Sequence, residues 1–374
     1  MLCLGVNSGT SADAVDCVLC RIDNNKLQLE SLYEYPMPSK LQQEIMQAVE
    51  TPGLRVDDYY ALRHKLTECY IQAIESALAD TKTAAKALGV IGVHGQTIHH
   101  MPNVKYPYTL QCINAASIAQ YFQVPTIDDF RGVDIALGGQ GAPVIPAFCQ
   151  YLHESNNKFG SRSVFLNLGG IANATIVDTD AQQLLGWDIG PANALMDIWI
   201  QDQQNQAFDQ EGKWAQTGKI SELLLAKLLQ DPYFKQPLPK STGRDYFSLQ
   251  WLQKNLAGQV YAPQDVQATL LALTVTTITE ALKSDSKELL NCYIYGKGVY
   301  NSFLMQRLVE GLSQYRVQTT ATLGVSPEAL EGALFAWLAH CYIQKKPVDL
   351  TSITGARTPA VLGCAYWGLE SAPH

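Results

Sequence analysis

The stretch GWDIGPANALMDIW, residues 186–199, puts a carboxylate where a strand gives way to a helix. Asp188 stands at the carboxyl end of an apolar run. The spacing predicts that Gly190-Pro191 turns the chain and that Asn193 caps a helix with Ala194, Leu195, Ile198 and Trp199 on its apolar face. Strand ends beside a helix N-terminus are where α/β proteins hold reactive groups. A carboxylate there can take a proton from water or a hydroxyl, or it can merely hydrogen-bond the following turn. The stretch alone leaves both open. Asp197, one turn inside the helix, reads as structural.

A second stretch, NSGTSADAVD at 7–16, lies between the strand-like runs CLGV and CVLCRI. It does not match GxxxxGK[ST], which excludes a P-loop. Gly9, Thr10 and Ser11 still offer hydrogen-bond donors, and Asp13 or Asp16 could hold Mg²⁺ directly or through water. A polar hairpin tip is the plain alternative. One internal echo bears on the choice. At an offset of 160 residues NSGTSADA matches NLGGIANA, pairing Asn7 with Asn167, Gly9 with Gly169, Ala12 with Ala172 and Ala14 with Ala174. So short a match can arise by chance. The other reading is two related half-domains, each presenting a small-residue hairpin whose backbone N–H groups converge on phosphate oxygens.

Four more stretches carry polar groups at turns. Residues 127–148 (IDDFRGVDIALGGQGAPVIPAF) crowd Arg131, Asp134 and Gln140 among glycines, as a ligand-contacting backbone or as a hinge between domains. VHGQTIHHMP at 93–102 brings His94, Gln96, His99 and His100 together, for metal, for ligand hydrogen bonding or for packing. YGKGVYN at 295–301 is a glycine turn between a strand and a helix, a weak nucleotide-binding pattern. KSTGRDYF at 240–247 holds Lys240 and Arg244 around a glycine, either a phosphate clamp or an exposed basic turn.

The elements that must position these residues alternate. Strand signals recur at CLGV, CVLCRI, LQLESLYEY, LGVIGVHG, YTLQCI, SVFLNLGG, ATIVD, LLGWDIG and LNCYIYGKG. Helical periodicity covers 57–80, 193–203, 221–230, 265–283, 301–313 and 327–344, with Asp265 as an expected N-cap. This is an α/β protein. At 374 residues two domains are the natural expectation. A net charge of −8 and a pI of about 5.4 argue against non-specific nucleic-acid binding. The first twenty residues lack Lys and Arg and the apolar runs are short, so neither a secretory signal nor a membrane span is expected. Nine scattered cysteines read as reduced cytoplasmic thiols, and Cys17 and Cys20, on one strand, would face opposite sides rather than form a CxxC site.

In order along the chain, GTSADAVD, HGQTIHHMP, DDFRGVDIALGGQGAPVIPAF, LNLGGIANATI, GWDIGPANALMDIW, PKSTGRDYF, DVQATLLALT, YGKGVYN, LEGALFAWLA and TGA resemble the 1,6-anhydro-N-acetylmuramic acid kinases from end to end. The resemblance implies two half-domains of actin-like, ribonuclease H-like type around a central ATP and sugar cleft. The expected division is 1–130 and 131–354, with about 355–374 returning to the first half. It implies a cytoplasmic enzyme of peptidoglycan recycling that uses ATP and Mg²⁺ to open the anhydro bridge of its sugar and phosphorylate O6. Asp188 matches the family's catalytic aspartate. Gly9, Thr10, Ser11, Ala12, Asp13, Ala14, Val15 and Asp16 match the segment at the ATP phosphates, with Asp13 toward Mg²⁺. Gly169 and Gly170 would form the second hairpin and Gly296 and Gly298 would border the nucleotide, while position and chemistry put His94, Arg131, Gln140 and Glu331 on the sugar side. The partners implied are the anhydro sugar and ATP, with a homodimer open and no nucleic acid or membrane.

Three departures bear on the nucleotide. Ala14 replaces a family glycine, Lys297 interrupts three glycines, and Ala192 stands in a GPGN pattern. A Cβ at such points could weaken binding, or cost nothing at negative φ. Two further readings are a kinase of this fold for another amino or anhydro sugar, and an ATP-binding regulatory protein weakened by those changes.

Overall fold

The computed structural model describes residues 1–23, 26–51, 53–156, 160–243, 245–284 and 288–369. The chain divides into two compact units, Met1–Ser155 with Ala329–His374, and Asn156–Glu328. The first stretch carries β1 (Leu2–Asn7), β2 (Ala14–Asp23), β3 (Lys26–Pro36), β4 (Val90–Met101), β5 (Tyr108–Cys112) and β6 (Thr126–Asp128). The second unit carries β7 (Arg162–Leu168), β8 (Ile171–Asp178), β9 (Gln183–Pro191), β10 (Leu290–Tyr295) and β11 (Tyr315–Thr319), and the returning segment adds β12 (Cys364–Tyr366).

Both sheets are built on one plan. The first runs β12-β6-β4-β1-β2-β3, with β5 paired to β4, and the second runs β11-β10-β7-β8-β9. In each, the first strand pairs antiparallel with the second, the second antiparallel with the third, and the first parallel with the fourth. The fourth then pairs parallel with the next strand outward. Asn7 and Asn167 therefore fall at equivalent places, at the end of the first strand of each sheet. The central parallel strands are apolar runs buried almost throughout, as in β1, β4 and β10, because helices cover both faces.

The helix Leu330–Ile343 is apolar all round and correspondingly buried. It lies so close to the first sheet that a Cβ on Gly5 would come 1.8 Å from the Gly332 carbonyl oxygen, and one on Gly92 2.2 Å from that of Phe335. Its Trp337 also packs on Phe148 of the helix Ile145–Ser155. These contacts draw both helices into the first unit. The changes of unit thus fall after 155 and after 328, not after 130 and near 355.

Two local expectations are corrected. β9 runs through Gly190-Pro191, and the irregularity is a bulge at Ile189, between the pairs Ala172–Gly190 and Asn173–Asp188. The helix Pro263–Ala281 starts before Asp265, whose carboxylate accepts the Lys219 N–H at 2.7 Å instead of capping the helix. All nine cysteines are free thiols, Cys17 and Cys20 buried, and burial pushes Cys3 up to about 12. No described helix is long and apolar enough to cross a membrane.

Candidate active site

In the first unit the loop from Ser8 to Asp13 joins β1 to β2. The Ala12 N–H donates to the Gly9 carbonyl at 3.0 Å, and Ala12 takes a left-handed φ of 48°. Gln96, on β4, braces the loop from below: Ser8 Oγ donates to its Oε1, and its Nε2 reaches the Gly9 carbonyl at 3.4 Å. Gln42 Nε2 holds the Ser11 carbonyl at 2.9 Å. Thr10, Ser11 and Asp13 are exposed at the tip, whereas Val15 and Asp16 run into β2 toward the core. Ser11 Oγ donates to Asp13 Oδ1 at 2.8 Å. Ala14 begins β2 opposite Pro36 and is not among the positive-φ residues, so its Cβ asks nothing of the backbone.

The same unit gathers the residues expected on the sugar side. Arg131 Nε donates to His94 Nε2 at 2.8 Å, and Arg131 Nη1 donates to the Gly141 carbonyl at 2.9 Å. His94 is 8% exposed and stacks on Phe335 with ring centroids 4.5 Å apart. Burial, then the Arg131 charge, hold the imidazole well below its usual pKa, so it is neutral and presents an acceptor to Arg131. Burial brings Arg131 down to about 10, opposed by the nearby charges of Glu331 and Asp134, and it stays a cation. Glu331 is exposed in the first turn of its helix.

The glycine-rich loop 138–143 is held from within. Asp134, 1% exposed, accepts the Gly141 N–H at 2.7 Å and the Thr354 hydroxyl at 2.7 Å, and the Gln140 N–H donates to the Thr354 carbonyl at 3.0 Å. A Cβ at Gly139 would fall 2.3 Å from Asp134 Oδ2. The Gln140 side chain is exposed, on a backbone fixed by these bonds. The loop is thus held to Asp134 and Thr354 of the same unit.

In the second unit Gly169 and Gly170 turn β7 into β8. Their carbonyls receive the start of the helix Asn193–Gln204: the Asn193 N–H and Nδ2 reach the Gly169 oxygen at 3.1 and 2.8 Å, and the Ala192 and Ala194 N–H groups reach the Gly170 oxygen at 2.9 and 3.0 Å. Ala192 is the N-cap, and Asn193 spends its side chain on the hairpin, not on capping. Gly296 and Gly298 pack on the same end of β7. A Cβ on Gly296 would meet Asn167 Oδ1 at 2.4 Å, and one on Gly298 would meet Leu168 Cβ at 2.6 Å. Their lack of a side chain is thus required by this packing, whatever else borders the turn. Lys297 is exposed between them.

Asp188 pairs across the sheet with Asn173 and is half-buried. The Thr242 N–H donates to its Oδ2 at 3.0 Å. Burial raises the carboxyl's pKa and that N–H pulls it back. Lys240 does not face outward as a free clamp: Nζ donates to the carbonyls of Tyr233 at 3.1 Å and Phe234 at 3.3 Å. Arg244 lies outside the described residues.

Several supports have partners that spacing in the sequence does not reveal. Ser8, Gln96, Asp134, Thr242 and Thr354 each bond to a neighbour distant along the chain, up to 220 residues away for Thr354 and Asp134. Among the described residues no group of three or more His, Cys, Asp and Glu side chains could hold a metal ion. Magnesium on a nucleotide keeps several waters and needs only one or two carboxylates beside the phosphates, so the exposed Asp13 at the loop tip is compatible with it.

A family model described as anhydro-N-acetylmuramic acid kinase matches residues 1–368. The anhydro-N-acetylmuramic acid kinase of Coxiella burnetii (strain RSA 493 / Nine Mile phase I) is 39% identical over 368 residues, covering 98% of this chain and 97% of that protein. That of Photobacterium profundum is 40% identical over 373 residues, covering 97% and 98%. Among solved structures, Acidaminococcus fermentans (R)-2-hydroxyglutaryl-CoA dehydratase component A is similar at a TM-score of 0.45 and 12% identity, over 90% of this chain and 98% of that one.

Proposed function

This chain belongs to the anhydro-N-acetylmuramic acid kinase family, and from that premise we propose how its residues carry the reaction. It is an ATP-dependent sugar kinase of cell-wall recycling. In the reading proposed, Asp188 takes a proton from a water whose oxygen attacks C1 of 1,6-anhydro-N-acetylmuramic acid. The C1–O6 bond breaks, O6 gains the electron pair and attacks the γ-phosphorus, and the bond to the β-phosphate oxygen breaks to release ADP. The product is N-acetylmuramic acid 6-phosphate. The observation that carries the reading is the environment of Asp188: a carboxylate beside the bulge near the end of β9, half-buried so that its basicity is raised, and oriented by one backbone N–H.

The other roles follow by chemistry. The loop from Gly9 to Asp16 offers backbone and hydroxyl donors suited to phosphate oxygens, and the Gly169-Gly170 hairpin occupies the corresponding place in the second sheet. Asp13 is the residue suited to hold Mg²⁺, which when bound offsets charge on the transferring phosphoryl group. Arg131 is suited to the lactyl carboxylate of the sugar, with His94 fixing the guanidinium, and Gln140 and Glu331 to its hydroxyl and amide groups. Free thiols are in keeping with a cytoplasmic setting, where ATP is supplied. ADP release that depends on the anhydro sugar, followed in a coupled assay, tests the reading. ADP release unchanged by the sugar would refute it.

A further inference from the structure

The segment from Tyr233 to Thr242 wraps Asp188 and touches it at three backbone or side-chain points. The Tyr233 hydroxyl donates to the Asp188 carbonyl at 2.7 Å. The Asp188 N–H donates to the Lys240 carbonyl at 3.0 Å. Two residues on, the Thr242 N–H reaches Asp188 Oδ2 at 3.0 Å. Both ends of the segment therefore rest on one residue.

Lys240 ties those ends to each other. A lysine on a partly exposed segment ordinarily extends its ammonium into water. Here Nζ folds back onto the carbonyls of Tyr233 and Phe234 and stands 4.6 Å from the centre of the Tyr233 ring. We propose that Lys240 is a positioning residue for Asp188, acting as a clasp that keeps the Thr242 N–H on the carboxylate. The inference rests on the reading of Asp188 as the general base.

The clasp has a chemical consequence. The Thr242 N–H is the one described donor to the carboxylate, and a hydrogen bond to the charged form lowers a carboxyl pKa against the effect of burial. Loosening the segment removes that donor, so the carboxyl should hold its proton to higher pH. Among the described residues the titratable side chain that meets Asp188 is Tyr233, at its carbonyl; Lys240 meets it through its backbone carbonyl, and its side-chain charge is lost when it is mutated. Tyr233→Phe loosens the same segment with every charge kept, and so separates the clasp from a direct effect of the lysine's charge.

The test compares Lys240→Met and Tyr233→Phe with the native chain, each first checked for a cooperative thermal transition. The Asp188 resonance is followed by carboxyl-carbon NMR and assigned through its loss in Asp188→Asn. The clasp predicts that the carboxyl titrates higher in both variants, by about half a pH unit or more, with kcat about tenfold down and KM for ATP little changed. An unchanged titration in Tyr233→Phe overturns it. So does a raised KM for ATP with unchanged titration in Lys240→Met, which would make Lys240 a phosphate ligand. Full activity in Asp188→Asn would refute the general-base reading instead, and the NMR comparison would still decide the clasp.

Discussion

Arg131 Nε donates to His94 Nε2 over 2.8 Å, and this bond fixes the state of both side chains. The histidine nitrogen must be unprotonated to accept, so the ring proton sits on Nδ1. The same nitrogen is thereby withdrawn from any metal. The spacing of His94, His99 and His100 alone leaves metal, ligand and packing roles open. The geometry instead makes His94 a buried support, stacked on Phe335, for an arginine that keeps its charge.

Arg131→Met should therefore raise KM for the sugar about tenfold to a hundredfold, the range expected for losing a charge-assisted contact. KM for ATP should move little. His94→Gln, which keeps an acceptor for Arg131, should be milder than His94→Leu. Because His94 titrates well below its usual range, no inflection from it should appear in the sugar KM between about pH 6 and 8. Steady-state kinetics on the four proteins check each point.

Asp188→Asn should lower kcat by about a hundredfold to ten-thousandfold, the usual worth of a positioned general base. Asparagine still accepts from Thr242, so the sugar should bind near normally by calorimetry and the thermal transition should persist. A collapsed transition would make Asp188 a structural residue.

Ala14→Gly tests the nucleotide loop. Ala14 opens β2 without a left-handed φ, which belongs to Ala12 two residues earlier. Restoring the family's glycine should bring no gain in ATP affinity and should cost about 0.5–1 kcal/mol of stability through backbone entropy. Titration calorimetry and thermal melts read the two effects.

Asp128 offers a stability prediction. It ends β6 with a buried Oδ1 that has no hydrogen-bond partner among the described residues, and burial, then repulsion from Asp129, raise its pKa to about 7. The folded state thus binds a proton more tightly than the unfolded chain, whose carboxyl titrates near about 4. Stability should fall as pH rises from about 4 to about 7 and then level off. Asp128→Asn should raise the melting temperature at pH 8 and raise it less at pH 5.

Much of this was legible in the chain. The offset match of Asn7 to Asn167 pointed to two related halves, and the two sheets share one strand order with both residues at the same place. Long periodic helices such as Val56–Asp80 and apolar strands such as β10 were plain from pattern. β6 was not, because three residues give no period. β11 was not, because YRVQT at a sheet edge mixes charged and polar residues. The place of Asp188 toward the carboxyl end of a strand could be read, though β9 runs on through Pro191, yet its partner could not: the Thr242 contact crosses 54 residues. The unit boundaries were hidden for the same reason, since only packing against Gly5 and Gly92 shows where the helix Leu330–Ile343 belongs.

In the proposed reaction water opens the anhydro bridge as O6 is phosphorylated. The mass of the product formed from ATP, Mg²⁺ and 1,6-anhydro-N-acetylmuramic acid distinguishes this from simple phosphorylation. A product heavier than the substrate by one phosphoryl group and one water is expected. A phosphorylated sugar that has gained no water would contradict it.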